Sequence, residues 1–187
     1  MSSLRAPAVL FTLLAAIALT ACADDQSQAP PLQATASSSV SCKSGQSYQH
    51  TTLGYHLCYP NGWTSRDYTA EPGSGGAVSV VAFGPEDKVP AHVPSSGPFD
   101  PPIEVRVVTG PKDQAEASVA QGNQVTKTTV AGTPADRIVV VDAGPASGTV
   151  IVIFEHQANT YEIEQAPSGS YDAAFKQVLE SFGFAAG

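Results

Sequence analysis

The sequence predicts an α+β domain, an antiparallel β-sheet flanked by helices, and three observations lead there. Short segments of alternating apolar and polar residues recur through residues 42–184, most of them bounded by Gly, Pro or Asn turns. Only two stretches carry helical spacing. Successive strands are joined mostly by tight turns, which favours antiparallel pairing over a parallel, helix-connected sheet.

Residues 54–59 alternate, with Tyr55, Leu57 and Tyr59 on one face, and stop at Pro60. Asn61-Gly62 is a turn leading to Trp63. Residues 77–83 form an apolar strand. Ile103, Val105 and Val107 alternate with Glu104, Arg106 and Val108 in the next. A helix follows over 112–121, after Pro111 and before Gly122, with a thin stripe of Ala115 and Val119 that predicts light packing. Residues 124–130 are Thr-rich and polar, an edge strand. A turn at Ala131-Gly132-Thr133-Pro134 leads into a strand over 137–142. Residues 149–156 are the most hydrophobic and predict a central strand. Residues 161–165 pair with it across Ala158-Asn159, Tyr161 and Ile163 inward, Glu162 and Glu164 outward. Ser170 is the expected N-cap of the second helix and Asp172 suits its dipole; Tyr171, Phe175, Val178, Leu179 and Phe182 make one stripe. That aromatic stripe reads as core rather than as a cofactor box.

The N-terminus predicts location. Arg5, an apolar run over about 9–19 and small residues at 20–21 have the layout of a secretory signal, too short to span a bilayer. Leu19-Thr20-Ala21-Cys22 resembles the lipobox of bacterial lipoproteins, which implies a signal peptide over 1–21 and lipidation, palmitate included, of Cys22. Ala23, rather than Asp, directly after the cysteine favours the outer membrane if the host is Gram-negative. Residues 23–41 are rich in Ala, Ser, Gln, Pro and Thr, too polar to order themselves. As a flexible tether they would reach roughly 24 Å. Residues 42–187 then form one domain of ordinary size.

Losing Arg5 with the signal leaves eight basic against 17 acidic residues, a formal charge of −9, with no basic cluster. Nucleic acid is excluded as a partner on that ground. Cys42 and Cys58 remain as an even pair in an oxidising compartment, so a disulfide is the default. It would close a loop of about 17 residues and contribute roughly 3 kcal/mol. The alternatives are two free thiols, or a metal site from His50, His56 and Cys58, whose spacing fits no standard zinc pattern.

The order of landmarks resembles the PsbP-like superfamily: Gly54-Tyr-x-Leu-x-Tyr-Pro-x-x-Trp63, then Val130-Ala-Gly-Thr-Pro-Ala-x-Arg137, a Tyr-x-Ile strand at Tyr161, and Tyr171-x3-Phe175-x3-Leu179-x-Ser181-Phe182-x-Phe184. The resemblance covers residues 46–184 and implies an α/β/α sandwich, an antiparallel sheet between helices. It also implies docking on, or assembly of, other proteins rather than catalysis. The matching Tyr59, Pro60, Trp63, Gly132 and Phe182 are scaffold positions, and the basic docking surface of the photosystem subunit has no counterpart in this acidic chain.

No catalytic constellation is legible: no Gly-x-Ser-x-Gly elbow, no His-Glu-x-x-His, no phosphate loop. His156 beside Glu155 could serve as a base, but a lone strand-end histidine reads first as a surface residue. Glu162 and Glu164 could act as paired carboxylates, and read first as a solvated strand face. Gly73-Ser74-Gly75-Gly76 reads as a loop. Residues 84–102 hold six prolines with Val89, His92, Val93 and Phe99 between them, either an unimportant insertion or a candidate partner loop pre-stiffened for docking. Deleting residues 87–99 should then leave stability nearly unchanged.

The expected function is a lipid-anchored, extracytoplasmic, noncatalytic module of the cell envelope that binds or assists an envelope protein, with no cofactor and no resident metal. The alternative is a periplasmic carrier of a small ligand or metal, with a pocket at Tyr55, Tyr59 and Trp63. An envelope hydrolase comes third.

Overall fold

The computed structural model describes residues 41–96, 99–167 and 169–185. The expectations for the signal peptide, for Cys22 and for the tether up to residue 40 lie outside them.

Seven strands make the main antiparallel sheet. They are β3 (Thr64–Asp67), β4 (Ser79–Gly84), β5 (Ile103–Thr109), β6 (Gln124–Val130), β7 (Thr133–Val139), β8 (Val150–His156) and β9 (Asn159–Gln165). Their order is β3-β4-β5-β9-β8-β7-β6, with β9 inserted between β5 and β8. A three-stranded sheet is formed by β1 (Gln46–Gln49), β2 (Tyr55–Tyr59) and β10 (Gly183–Phe184), with β2 in the middle. The α+β class stands: antiparallel sheets with helices α1 (Lys112–Ala120) and α2 (Asp172–Ser181).

The inner face of the large sheet is apolar because alternate residues of every central strand are. Val81, Phe83, Ile103, Val105, Val152, Phe154, Tyr161 and Ile163 are all buried there. β2 and α2 close over them through Tyr55, Leu57, Tyr59, Phe175, Val178 and Phe182 in one continuous cluster. Rings set its geometry: Tyr55 stacks on Phe182 at 5.3 Å and Phe154 on Tyr161 at 5.3 Å. The N–H of Cys58 donates to Ser181 Oγ at 2.8 Å, tying the end of α2 to β2. Cys42 and Cys58 are joined as a disulfide across a sequence separation of 16, which fixes the start of the domain to β2.

Several boundaries differ from those read in the sequence. The turn before β7 is only Ala131-Gly132, both at positive φ (51° and 76°), the type I′ geometry that suits a two-residue hairpin. Strand β7 therefore starts at Thr133 rather than at Arg137, and includes Pro134. Pro134 is tolerated because it sits opposite Thr129 at a position that exchanges no ladder bond with β6. The β8–β9 turn is Gln157-Ala158, with Gln157 at φ 57°. Helix α2 begins after a single 3-10 turn (Gly169–Tyr171), and its N-cap position is taken by Tyr171, which makes no side-chain cap bond. Three short strands carried no legible pattern: β1, β3 and β10 are two to four residues long and mostly half-buried or exposed.

Candidate functional site

The outer face of the large sheet is where the molecule departs from a simple core. Three zones lie side by side on it. Over β4, residues 85–96 and 99–102 form a strap. Val89 of the strap is fully buried against Tyr68, Val80 and Ala82, with Val93 and Phe99 packed around them. Backbone and side-chain bonds hold it: Arg66 Nε donates to the Val89 carbonyl at 2.7 Å, and the Tyr68 hydroxyl donates to the Pro90 carbonyl. His92 Nδ1 lies 2.8 Å from Glu71 Oε1, and Phe99 meets Tyr68 edge-on at 5.0 Å.

Over β7 and β8, helix α1 covers Ile138, Ile151 and Ile153 with Val119 and Ala120. No residue of α1 is itself buried, so apolar contact alone holds it weakly. The stronger tie is ionic. Asp136 on β7 is 1% exposed and takes Lys112 of α1 and, at 2.5 Å, Lys127 of β6. Burial pulls the Asp136 carboxyl upward, but hydrogen bonds from Lys112 and Lys127 outweigh it and hold the group below its ordinary range.

Between strap and helix, the middle of the face is left charged. Glu104 of β5 stands directly opposite Glu164 of β9, and Arg106 opposite Glu162. A cleft of about 210 Å³ lined by Phe99, Asp100, Pro101, Glu104, Glu164 and Ala166 runs under the strap's end. The Arg106 guanidinium reaches Glu104 at 3.9 Å and donates to the Ser74 carbonyl. One cation thus serves three carboxylates. Burial raises Glu104 and Glu162, each partly relieved by Arg106. Glu164 is pushed up to about 7, first by burial in the cleft, then by Glu104, Glu162 and Asp100, against Arg106. Much of Glu164 is open to solvent, so screening keeps the energetic weight of this crowding small. No group of three or more His, Cys, Asp or Glu among the described residues is arranged to hold a metal ion.

The residues singled out in the sequence fall as follows. Tyr55 and Tyr59, expected to line a ligand pocket, are 0% and 7% exposed and packed solid into the main core. Trp63 is half-buried at the core's margin, edge-on to Tyr171 at 5.9 Å. The candidate partner loop is real but not loose: Val89 is core, Val93 and Phe99 are half-buried, and His92 is exposed. The expectation that deleting residues 87–99 leaves stability nearly unchanged is therefore corrected, since removal of Val89 uncovers Tyr68, Val80 and Ala82. Gly97 and Pro98 within it lie outside the described residues. His156 stacks on Phe184 at 3.5 Å, and Glu155 accepts from the Lys112 N–H at 3.2 Å, so the two are scaffold contacts. His50 Nδ1 accepts from the Leu53 N–H at 3.1 Å and Cys58 is in the disulfide, which removes the proposed metal set. Sequence reading missed Asp136 and Glu104. The signal for Glu104 was present, because its strand alternates as cleanly as that of Glu162 and Glu164; their adjacency is a matter of strand order.

No family model matches the sequence, and none of the curated proteins matches it. Solved structures do. The chain is similar to the solution structure of cyanobacterial PsbP (CyanoP) from Synechocystis sp. PCC 6803, at 17% identity and a TM-score of 0.45, over 79% of this chain and 96% of that one. It is similar also to a protein from Bacteroides thetaiotaomicron VPI-5482, at 11% identity and a TM-score of 0.40, over 76% of this chain and 49% of that one, about half its length. A PsbP structure thus stands among the solved chains this one resembles in fold, and at these TM-scores neither likeness bears on what the domain does.

Proposed function

We propose that this chain is a lipid-anchored, extracytoplasmic, noncatalytic module that docks on or assists another protein of the cell envelope. The observation that carries the reading is the strap: an irregular, proline-rich segment pinned onto a rigid sheet by a buried valine and by bonds from Arg66 and Tyr68. A segment held in one conformation loses little entropy when a partner covers it. Beside it lies a charged trough whose three carboxylates are only partly neutralised by Arg106. The disulfide supports an oxidising compartment, the side of the membrane that the signal and Cys22 predict. The carrier reading placed its pocket at Tyr55, Tyr59 and Trp63, of which Tyr55 and Tyr59 are buried in the main core.

The test is in-cell photo-crosslinking from His92 in the full-length protein, with Ser118 on α1 as the control position, followed by mass spectrometry. A discrete adduct with one envelope protein is expected from His92, and loss of that adduct when Arg66→Met loosens the strap. Adducts of equal pattern from both positions would refute a docking role for the strap. Cys22→Ser should move the protein out of the membrane fraction.

A further inference from the structure

The two edges of the large sheet are not equivalent, and the difference points to a second surface. At one edge, β3 is four residues long, and Arg66 within it is turned to the strap's Val89 carbonyl. At the other edge, β6 is seven residues long and its outer side pairs with nothing among the described residues. Its register follows from the hairpin. Val130 and Thr133 flank the two-residue turn and exchange ladder bonds, so Thr128, Thr126 and Gln124 bond to β7. The alternate residues, Val125, Lys127 and Thr129, therefore point their N–H and C=O groups outward, away from the sheet.

Edge strands usually carry a guard against pairing, most often a lysine. Lys127 occupies that place, but its ammonium is drawn back over the outer face to Asp136 at 2.5 Å. On the inner face a groove of about 460 Å³ runs between β6–β7 and α2, with Thr128, Arg137, Phe175 and Leu179 in its walls. Of the acids that share the groove, Asp172 Oδ1 accepts from the neutral amide of Gln165 at 2.6 Å and Glu180 lies 3.7 Å from Lys176. Arg137 forms no ion pair among the described residues. The groove therefore offers apolar wall, hydroxyls and a guanidinium that makes no ion pair among the described residues, beside an open ladder.

We propose that β6 is the docking edge for an extended segment of a partner protein, added as an eighth strand, with β-branched side chains in the groove and a carboxylate directed at Arg137. Main-chain bonds to Val125, Lys127 and Thr129 supply the attachment, and the groove supplies the selection. A second copy of this chain fits less well, because twofold pairing centred on the strand sets Lys127 against Lys127 of the copy. The inference rests on the partner-binding reading above and specifies the chemistry of a partner at a surface separate from the strap.

The probe is the acetylated, amidated heptapeptide Thr-Val-Thr-Glu-Thr-Val-Thr, whose Val and Glu side chains share one face, beside its Glu→Lys counterpart. Both are titrated into the full-length protein in detergent while amide hydrogen exchange is followed residue by residue. At a free peptide concentration about nine times Kd, exchange at Val125, Lys127 and Thr129 should slow about tenfold. The Lys counterpart should bind about tenfold more weakly, and Arg137→Gln should erase that difference. Val125→Pro and Thr129→Pro each remove one outward N–H while keeping the ladder to β7, and each should abolish binding with the Tm of the protein unchanged. Absence of protection up to the peptide's solubility limit overturns the proposal, as does protection at β3 instead. Protection of the same amides without peptide, rising with protein concentration as the mass doubles, also overturns it and assigns the edge to a second copy. Failure on any of these counts leaves the crosslink from His92 intact, so the two readings fail separately.

Discussion

The two faces of the large sheet are built from the same strands and held by different physics. On the inner face, alternate residues are large and apolar, and α2 with β2 covers them through a single cluster that includes Phe154, Tyr161 and Phe182. Helix α2 contributes because Ala174, Phe175 and Val178 fall on one side and are buried. On the outer face no one element among the described residues spans the strands. The strap covers β4 through Val89, α1 covers β7 and β8 through Ile138 and its neighbours, and charge occupies the gap. Helix α1 buries none of its residues and relies on Lys112 reaching Asp136. A face covered piecewise leaves part of its strands exposed between the covers; a face covered by one continuous core leaves only its margin beside β6.

Substitutions can break this contrast, and the largest effect belongs to the inner face. Phe154→Ala removes a fully buried ring stacked on Tyr161, and should cost about 3–5 kcal/mol in urea unfolding. A cost as small as that of an outer-face change would mean that the two faces are not distinct. Asp136→Ala leaves Lys112 with Glu116 of its own helix as its one carboxylate partner among the described residues and frees α1 from β7, for a loss of roughly 2–4 kcal/mol. Amide exchange should then rise in α1 before it rises in α2. Simultaneous loosening of both helices would contradict the piecewise reading. Val89→Ala takes two methyl groups from the strap's anchor, with an expected loss of about 2 kcal/mol. Limited proteolysis should cut within the strap of that variant, and an uncut strap would show that the hydrogen bonds from Arg66 and Tyr68 suffice.

The smallest effect sharpens the charged gap. Glu164 titrates near 4.5 in an unfolded chain and near 7 in the fold, so between those values the folded state holds the extra proton. Its contribution to stability therefore falls as pH rises through that window, and the penalty is complete above about 7. Glu164→Gln should raise Tm by about one or two degrees at about pH 8 and leave it unchanged at about pH 4. An equal gain at both values would assign the effect to packing rather than to charge.

What could be read in advance was whatever repeats locally. The alternation of Ile103, Val105 and Val107 set one strand, and the 3.6-residue spacing of Phe175, Val178, Leu179 and Phe182 set one helix. Cys42 and Cys58 suggested their own pairing, because only two cysteines remained once Cys22 was assigned to the lipid. The strands β1, β3 and β10 were invisible, since two to four residues are too few to show a period and their residues are mostly not buried. The pocket at Tyr55 and Tyr59 was misjudged for a related reason: aromatic residues mark a filled core and an open cleft equally well until their neighbours are known.

Composition and periodicity by themselves determined the α+β class, the expected destination of the chain and the face that each strand residue would share with its neighbours. Tertiary structure alone decided that β9 inserts between β5 and β8, which sets Glu164 against Glu104 across 60 residues of sequence, and that β6 ends the sheet among the described residues. Side-chain period is a property of the strand, read two residues at a time. Which strand lies next, and which edge is left open, depends on how the whole apolar face closes, and no local segment carries that information.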